Sequence, residues 1–169
     1  RVKFPPSVVK ECLSSLPKQI PIFQRDGDLA FILGDGGQYC VSGHNAVFVL
    51  INEKGERRNS TVKDVENFAI ISDKLSEVDM VGVPVMPQDV TPQTTLLYAI
   101  QAILKNSKKP IFFSSESEII NQAVIEMGKV ITGKDKLKDC SPIISQLSTT
   151  SPFYWEKGAV EALYLVAQE

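Results

Sequence analysis

One histidine, three cysteines and one tryptophan in 169 residues exclude several chemistries at once. Cys12, Cys40 and Cys140 are widely spaced and odd in number, no CxxC occurs, and a lone imidazole cannot complete a structural zinc site. Scattered, unpaired thiols fit a reducing compartment, so a cytoplasmic location is expected. Basic runs are no longer than Lys108-Lys109, and 18 basic against 20 acidic side chains leave a net charge of −2. Nothing in that balance points to nucleic acid or an anionic membrane. No apolar run approaches the ~20 residues of a membrane span. Asn59-Ser60-Thr61 matches a glycosylation sequon, but no signal peptide pattern accompanies it, and it reads as a turn and a helix cap.

What is present is an ordinary globular composition, 43% apolar and 22% charged. A chain of this length can bury roughly 70% of its unfolded surface in one domain. Its organising stretch runs from Val78 to Pro92. Met80 to Val85 is a β-branched apolar run that predicts a buried strand, closed by Pro84 and Pro87, which cannot donate to a ladder. Thr91-Pro92 then predicts a helix to Asn106, with Thr91 as N-cap and Pro92 at the first helical position. Strand, loop and capped helix make one βα unit.

Similar units flank it. Residues 1–38 read as an extension: a short helix over 5–15 with Val8, Val9, Cys12 and Leu13 on one face, then a hairpin from Ile20–Gln24 and Leu29–Leu33. Gly34-Asp35-Gly36-Gly37 lacks phosphate-loop spacing and reads as a tight turn. From 39 onward the units begin: strands at Tyr39–Ser42 and Ala46–Ile51, a turn at Asn52–Glu56, and a helix capped by Thr61 and Asp64. That helix should bury Val65, Phe68, Ala69, Ser72 and Leu75. Pro110–Ser114 is the next strand, and Ser115-x-x-Glu118 a capping box. The helix it opens should bury Ile119, Ala123, Val124, Met127 and Ile131 and stop at Gly133. Pro142–Leu147 and Glu156–Gln168 complete a fourth unit. Apolar strands joined by whole helices predict a parallel α/β sheet. Four units are about half of an eight-unit barrel of ~250 residues, and a four-stranded doubly wound sheet is the competing arrangement.

In either architecture a ligand sits at the carboxyl ends of the strands. That gathers Gly43-His44-Asn45, Pro84–Asp89, Ser114-Ser115-Glu116 and Ser148–Ser151. His44 is a candidate base or substrate hydrogen-bonder, against the plain reading of a satisfied loop histidine. Asp89 could hold a cation or orient His44, or be an Asx-turn residue. Glu116 reads as an acid complementing a helix dipole. Thr149, Thr150 and Ser151 suit hydrogen bonds to a substrate or a cap. Phe153, Tyr154 and Trp155 could face a quaternary ammonium or pack into a core. Taken together, His44, Asn45, Asp89, Ser114, Thr149, Thr150 and Tyr154 are the candidate substrate-binding residues, with no catalytic or metal-ligating residue assigned.

The run Gly43-His44-Asn45-Ala46-Val47-Phe48-Val49-Leu50, then Gly55-Glu56-Arg57-Arg58 and the helix from Thr61, resembles the trimethylamine methyltransferase family. So do Val78 through Val90 and the later stretch Ile143 to Pro152 with Tyr154 and Glu161-Ala162-Leu163. The resemblance implies a (β/α)8 barrel that moves a methyl group from a methylamine or quaternary amine, such as trimethylamine or glycine betaine, to the cobalt of a corrinoid. The corrinoid is carried by a partner protein, none being bound directly, and some members use a pyrrolysine in the later half of the barrel. It further implies that this chain is a fragment with the first four units, inactive alone, and that its open sheet edges lead to a homo-oligomer. The alternative from another class is a non-catalytic half-barrel that binds or assembles. A small hydrolase or aldolase-type enzyme is weaker still, since no nucleophile elbow occurs and Lys108 and Lys109 precede their strand.

Overall fold

The computed structural model describes residues 3–134, 136–148 and 154–167. Helix α1 (Pro6–Ser15) precedes a hairpin of β1 (Ile20–Phe23) and β2 (Leu29–Leu33). Gln24 N donates to Asp28 O at 2.8 Å and Gly27 takes φ +92°, which closes the hairpin where its turn residues predict. None of the residues of α1 is buried, so its predicted apolar face stays exposed among the described residues. In the Gly34–Gly37 turn the Asp35 carboxylate accepts from Gly37 N at 2.7 Å, a self-contained turn rather than an anion cradle.

The predicted strands at Tyr39–Ser42 and Ala46–Ile51 form differently. Residues 41–46 lie beside 80–85 through two isolated parallel bridges, Val41 with Met80 and Ala46 with Val85. The ladder fails between them because Asn45 turns left-handed, φ +57°, which asparagine tolerates better than most side chains. Beyond Ala46 the chain leaves this sheet. There β3 (Phe48–Leu50) pairs antiparallel with β4 (Arg57–Asn59). One predicted strand thus serves two sheets.

Helix α2 (Val62–Lys74) starts on the predicted capping box: Asp64 N donates to Thr61 Oγ1 and Thr61 N to Asp64 Oδ2. It buries Val65, Ala69 and Ser72, but Phe68 and Leu75 are exposed, contrary to the periodicity. The reason is its place at the end of the helix row, with a helical neighbour, α3, on one flank only. After β5 (Val81–Gly82), Pro92–Thr94 form one 3-10 turn and α3 (Thr95–Asn106) follows. Thr91 makes no side-chain cap; its carbonyl instead accepts from Thr94 and Thr95 hydroxyls. Strand β6 (Ile111–Ser114), helix α4 (Glu118–Thr132), strand β7 (Ile143–Gln146) and helix α5 (Lys157–Val166) complete the order.

Helix α4 departs from its prediction twice. Its cap is Ser117, which accepts from Ile120 N, not Ser115. Its buried stripe is Ile120, Asn121, Val124, Ile125 and Gly128, while Ile119 stands 83% exposed. The adjacent pairs Ile119-Ile120 and Val124-Ile125 allow two overlapping apolar stripes, and packing against α5 selects the one that contains Asn121.

Strands β5, β6 and β7 are parallel and neighbours in chain order, with 41–46 outside β5. This sequential order among the described strands is shared by the start of a barrel and by one half of a doubly wound sheet. Alternate strand residues divide between two faces. Val81, Val83, Val85, Ile111 and Phe113 join α2, α3 and α4 in the main core. Met80, Phe112 and Ile144 face the other way, where Ile22 and Phe31 of the hairpin cover them. The hairpin lies at the amino ends of the strands, so among the described residues the carboxyl end of that second face is left open. No helix among the described residues is long and apolar enough to cross a membrane.

Candidate functional site

The open corner is built by a close approach of backbones. Asn45 N donates to Val83 O at 2.7 Å and Ser42 N to Met80 O at 3.1 Å, which clamps 42–45 alongside β5. Between these clamps the Ser42 and Gly43 carbonyls come to 2.8 and 2.9 Å from where a Cβ on Gly82 would stand. Only glycine permits this. Gly82 is also the register partner of Phe112, so β5 presents no side chain at the level of the Phe112 ring. The His44 imidazole therefore reaches β6 across β5: its Nε2 lies 3.1 Å from Ser114 Oγ, and its ring centroid 5.8 Å from that of Phe112.

Partial burial pushes the His44 pKa below its ordinary value, which favours the neutral imidazole. A neutral ring can accept at Nε2 the proton of the Ser114 hydroxyl. Burial likewise raises the Glu116 carboxyl, although that side chain keeps solvent contact. Glu116 also precedes α4 rather than sitting in its first turn, where Glu118 is the acid. No carboxylate among the described residues hydrogen-bonds the imidazole. Nor do the described residues contain three His, Cys, Asp or Glu side chains placed to hold a metal. What the corner offers is a neutral imidazole, a hydroxyl and an aromatic ring on one open face.

The other candidates fall elsewhere. Asn45 adjoins His44, with its side chain exposed and its backbone holding β5. Asp89 turns away from the corner and accepts from Val62 N at 3.0 Å, a second cap on α2. Tyr154 and Trp155 are both exposed, and no ring contact links either to His44. Thr149 and Thr150, with Ser151 and Phe153, lie outside the described residues. Sequence reasoning missed Phe112, Gly82 and Gln146. The signal was there for one of them: alternation along Ile111-Phe112-Phe113-Ser114 puts Phe112 on the face of Ser114, whereas only the β6–β7 register makes Gln146 the partner of Ser114.

With this geometry in place, comparison with known proteins is informative. The family described as trimethylamine methyltransferase (MTTB) matches residues 1–169. Trimethylamine methyltransferase MttB from Desulfitobacterium hafniense (strain DSM 10664 / DCB-2) is 25% identical over 163 residues, covering 96% of this chain and 33% of that protein. Glycine betaine methyltransferase from Desulfitobacterium hafniense (strain Y51) is 24% identical over 170 residues, covering 99% of this chain and 35% of that protein. The chain thus spans about a third of the length of the curated relatives it matches. With its whole length inside the family match, the chain belongs to the trimethylamine methyltransferase family.

Proposed function

We propose that this chain contributes the substrate corner of a methyltransferase that takes a methyl group from a methylated amine, of the trimethylamine or glycine betaine type, and passes it to a corrinoid carried by a separate protein. The observation that carries this reading is the His44–Ser114 contact beside Phe112 on the open carboxyl-end face of a sequentially ordered parallel sheet. Sequential strand order is compatible with a further reading of the four strands as about half of a (β/α)8 barrel. In that barrel the His44 face is the interior, and the protein acts in the cytoplasm.

The residues suit such a substrate. A quaternary ammonium offers no N–H, so it is held by aromatic faces and excluded water rather than by hydrogen bonds. Phe112 supplies a ring, and a neutral His44 adds no repelling charge. Ser114 and Gln146 leave polar groups for a carboxylate tail of a betaine. Displacement of a methyl group needs alignment and desolvation more than an acid or base, which one histidine and no paired carboxylates tolerate. The partner's corrinoid supplies the methyl acceptor. The open face at His44 and Gln146 leaves it room to approach, and no side chain of this chain is assigned as its ligand.

Apolar side chains exposed on β3 and α5, including Leu50 and Tyr164, favour a second reading. In it the same half-barrel is a non-catalytic module that completes another polypeptide. Titration with trimethylamine, glycine betaine and tetramethylammonium, read on the imidazole resonances of the single histidine, tests substrate binding. Saturable movement abolished by Phe112→Ala supports the substrate corner; no movement with any of the three overturns it. Methyl transfer to an added corrinoid protein, with the remaining barrel units supplied, separates enzyme from module.

A further inference from the structure

Behind the open face, on the helix side of the sheet, lies a buried polar chain that the substrate corner does not use. Asn121 of α4 is 0% exposed. Its Nδ2 donates to Ser115 Oγ at 3.1 Å and to Ala162 O of α5 at 3.4 Å. Ser115 Oγ in turn shares a hydrogen bond with Ser145 Oγ of β7, and Ser115 N donates to Gln146 O at 2.9 Å. The amide has one workable orientation, because its oxygen in place of Nδ2 would face the Ala162 carbonyl. Asn121 Oδ1 is left with no partner among the described residues.

An unpartnered buried acceptor is costly, and an apolar side chain at this position would avoid it. The amide's contribution is therefore to direction rather than to net stability. Ser115 is the residue after the last ladder residue of β6, and its neighbour Ser114 points to the opposite face of the pleat. Holding the Ser115 side chain from the helix side fixes the pleat at 114–115, and with it the direction of the Ser114 hydroxyl toward His44.

We propose that Asn121, acting through Ser115 and Ser145, is a positioning residue for the His44–Ser114 contact. The inference rests on the reading of that contact as the substrate corner, although the positioning itself can be measured without substrate. Two elements that never touch the open face, α4 and α5, are thereby coupled to it. Residue 121 does so from the core.

The test uses the whole chain and its one imidazole, whose ring protons lie in the field of the Phe112 ring. Ser145→Ala removes a half-buried hydroxyl and keeps the backbone; Asn121→Leu removes the amide. Both should move the His44 ring resonances toward those of a free histidine, with far-UV circular dichroism unchanged. Ser145→Thr should leave the resonances in place, since it keeps the hydroxyl and its added methyl enters a cavity of ≈ 250 Å³ that Ser145 and Asn121 line. If Asn121→Leu does not fold, the Ser145 pair decides alone. A folded Ser145→Ala protein with unmoved His44 resonances overturns the proposal, as does Ser145→Thr moving them as far as alanine does. Absence of an amine-induced shift in the parent protein would count against the substrate corner and leave this result standing.

Discussion

Arg58 grips Asp64 through two parallel hydrogen bonds of 2.7 and 2.8 Å, and so ties the β4 strand to the first turn of α2. The same carboxylate accepts from Thr61 N and Thr61 Oγ1 at 2.8 Å each. Asp64 is buried while Arg58 is 48% exposed, so solvent screens much of the pair. Arg58→Ala is expected to be the milder loss of the two. Asp64→Ala, which also removes half of the capping box, should cost about 2 kcal/mol. Urea unfolding of the two variants checks the order.

That pair also sets a pH dependence. The Arg58 guanidinium, helped by the Thr61 hydroxyl and amide, holds the Asp64 carboxyl well below the usual carboxylate range. A carboxylate with a depressed folded pKa stabilises the fold at every pH above its unfolded value of ~3.9, and that contribution is lost as pH falls below it toward the folded value. Asp26 and Asp35 are lowered too and act with the same sign. The melting temperature should therefore fall below about pH 4, and fall less steeply in Asp64→Asn than in the parent. Parallel slopes would refute the assignment.

Lys109 is a structural cation. Its Nζ donates to the carbonyls of Ser72, Leu75 and Val78 at 2.7, 2.5 and 2.6 Å, closing the end of α2 against the start of β6. Lys109→Met keeps the stem and removes three charge-assisted bonds, for an expected loss of about 2 kcal/mol. Lys109→Arg should not restore it, because a planar fork does not match three carbonyls converging on one point. Thermal denaturation of both variants is the measurement.

Gly82→Ala places a methyl against two carbonyl oxygens of the backbone, Ser42 and Gly43. Neither can move without breaking the clamps that hold 42–45 to β5. A loss of about 1–3 kcal/mol is expected, together with displaced His44 resonances. The second readout separates a local change at the corner from general destabilisation.

The outer sheet edges predict association. Residues 41–46 and β7 each have a strand neighbour on one side among the described residues. Exposed apolar side chains elsewhere add to this, Leu50 of β3 at 72% and Tyr164 of α5 at 70% exposure. Unpaired edges of this kind recruit other strands. In sedimentation the 169-residue chain should run heavier than one copy. A single monomeric species that stays folded would refute this.

Much of the fold was legible from local chemistry, and the misses have identifiable causes. The capping box at Thr61 and Asp64, the turn at Gly27 and the stop at Gly133 follow from residues that act within one turn of themselves. Strand β6 was readable from its apolar run after Pro110, whereas the predicted strand Met80–Val85 shrinks to Val81–Gly82 with single bridges at Met80 and Val85, because the irregular stretch 41–46 is its neighbour on that side. Packing decided the cases where a stretch had two equivalent apolar faces or two possible partners. Helix α4 could bury either Ile119 or Ile120, and α5 chose; Phe68 and Leu75 stayed in solvent because α2 has a helical neighbour on one flank only.

The site divides the same way. The one histidine, its loop, and the end of the sheet where a ligand would sit were all determined by the chain's own pattern. That His44 meets Ser114, that Asp89 caps α2 instead, and that Asn121 reaches Ser115 from behind the sheet were decided only in three dimensions. Each of those contacts joins residues 6 to 70 positions apart. Propensity and periodicity act over a few residues, whereas a hydrogen bond across a sheet depends on which strands are neighbours and on what stands between them. Here it was the missing side chain of Gly82 that left the way open.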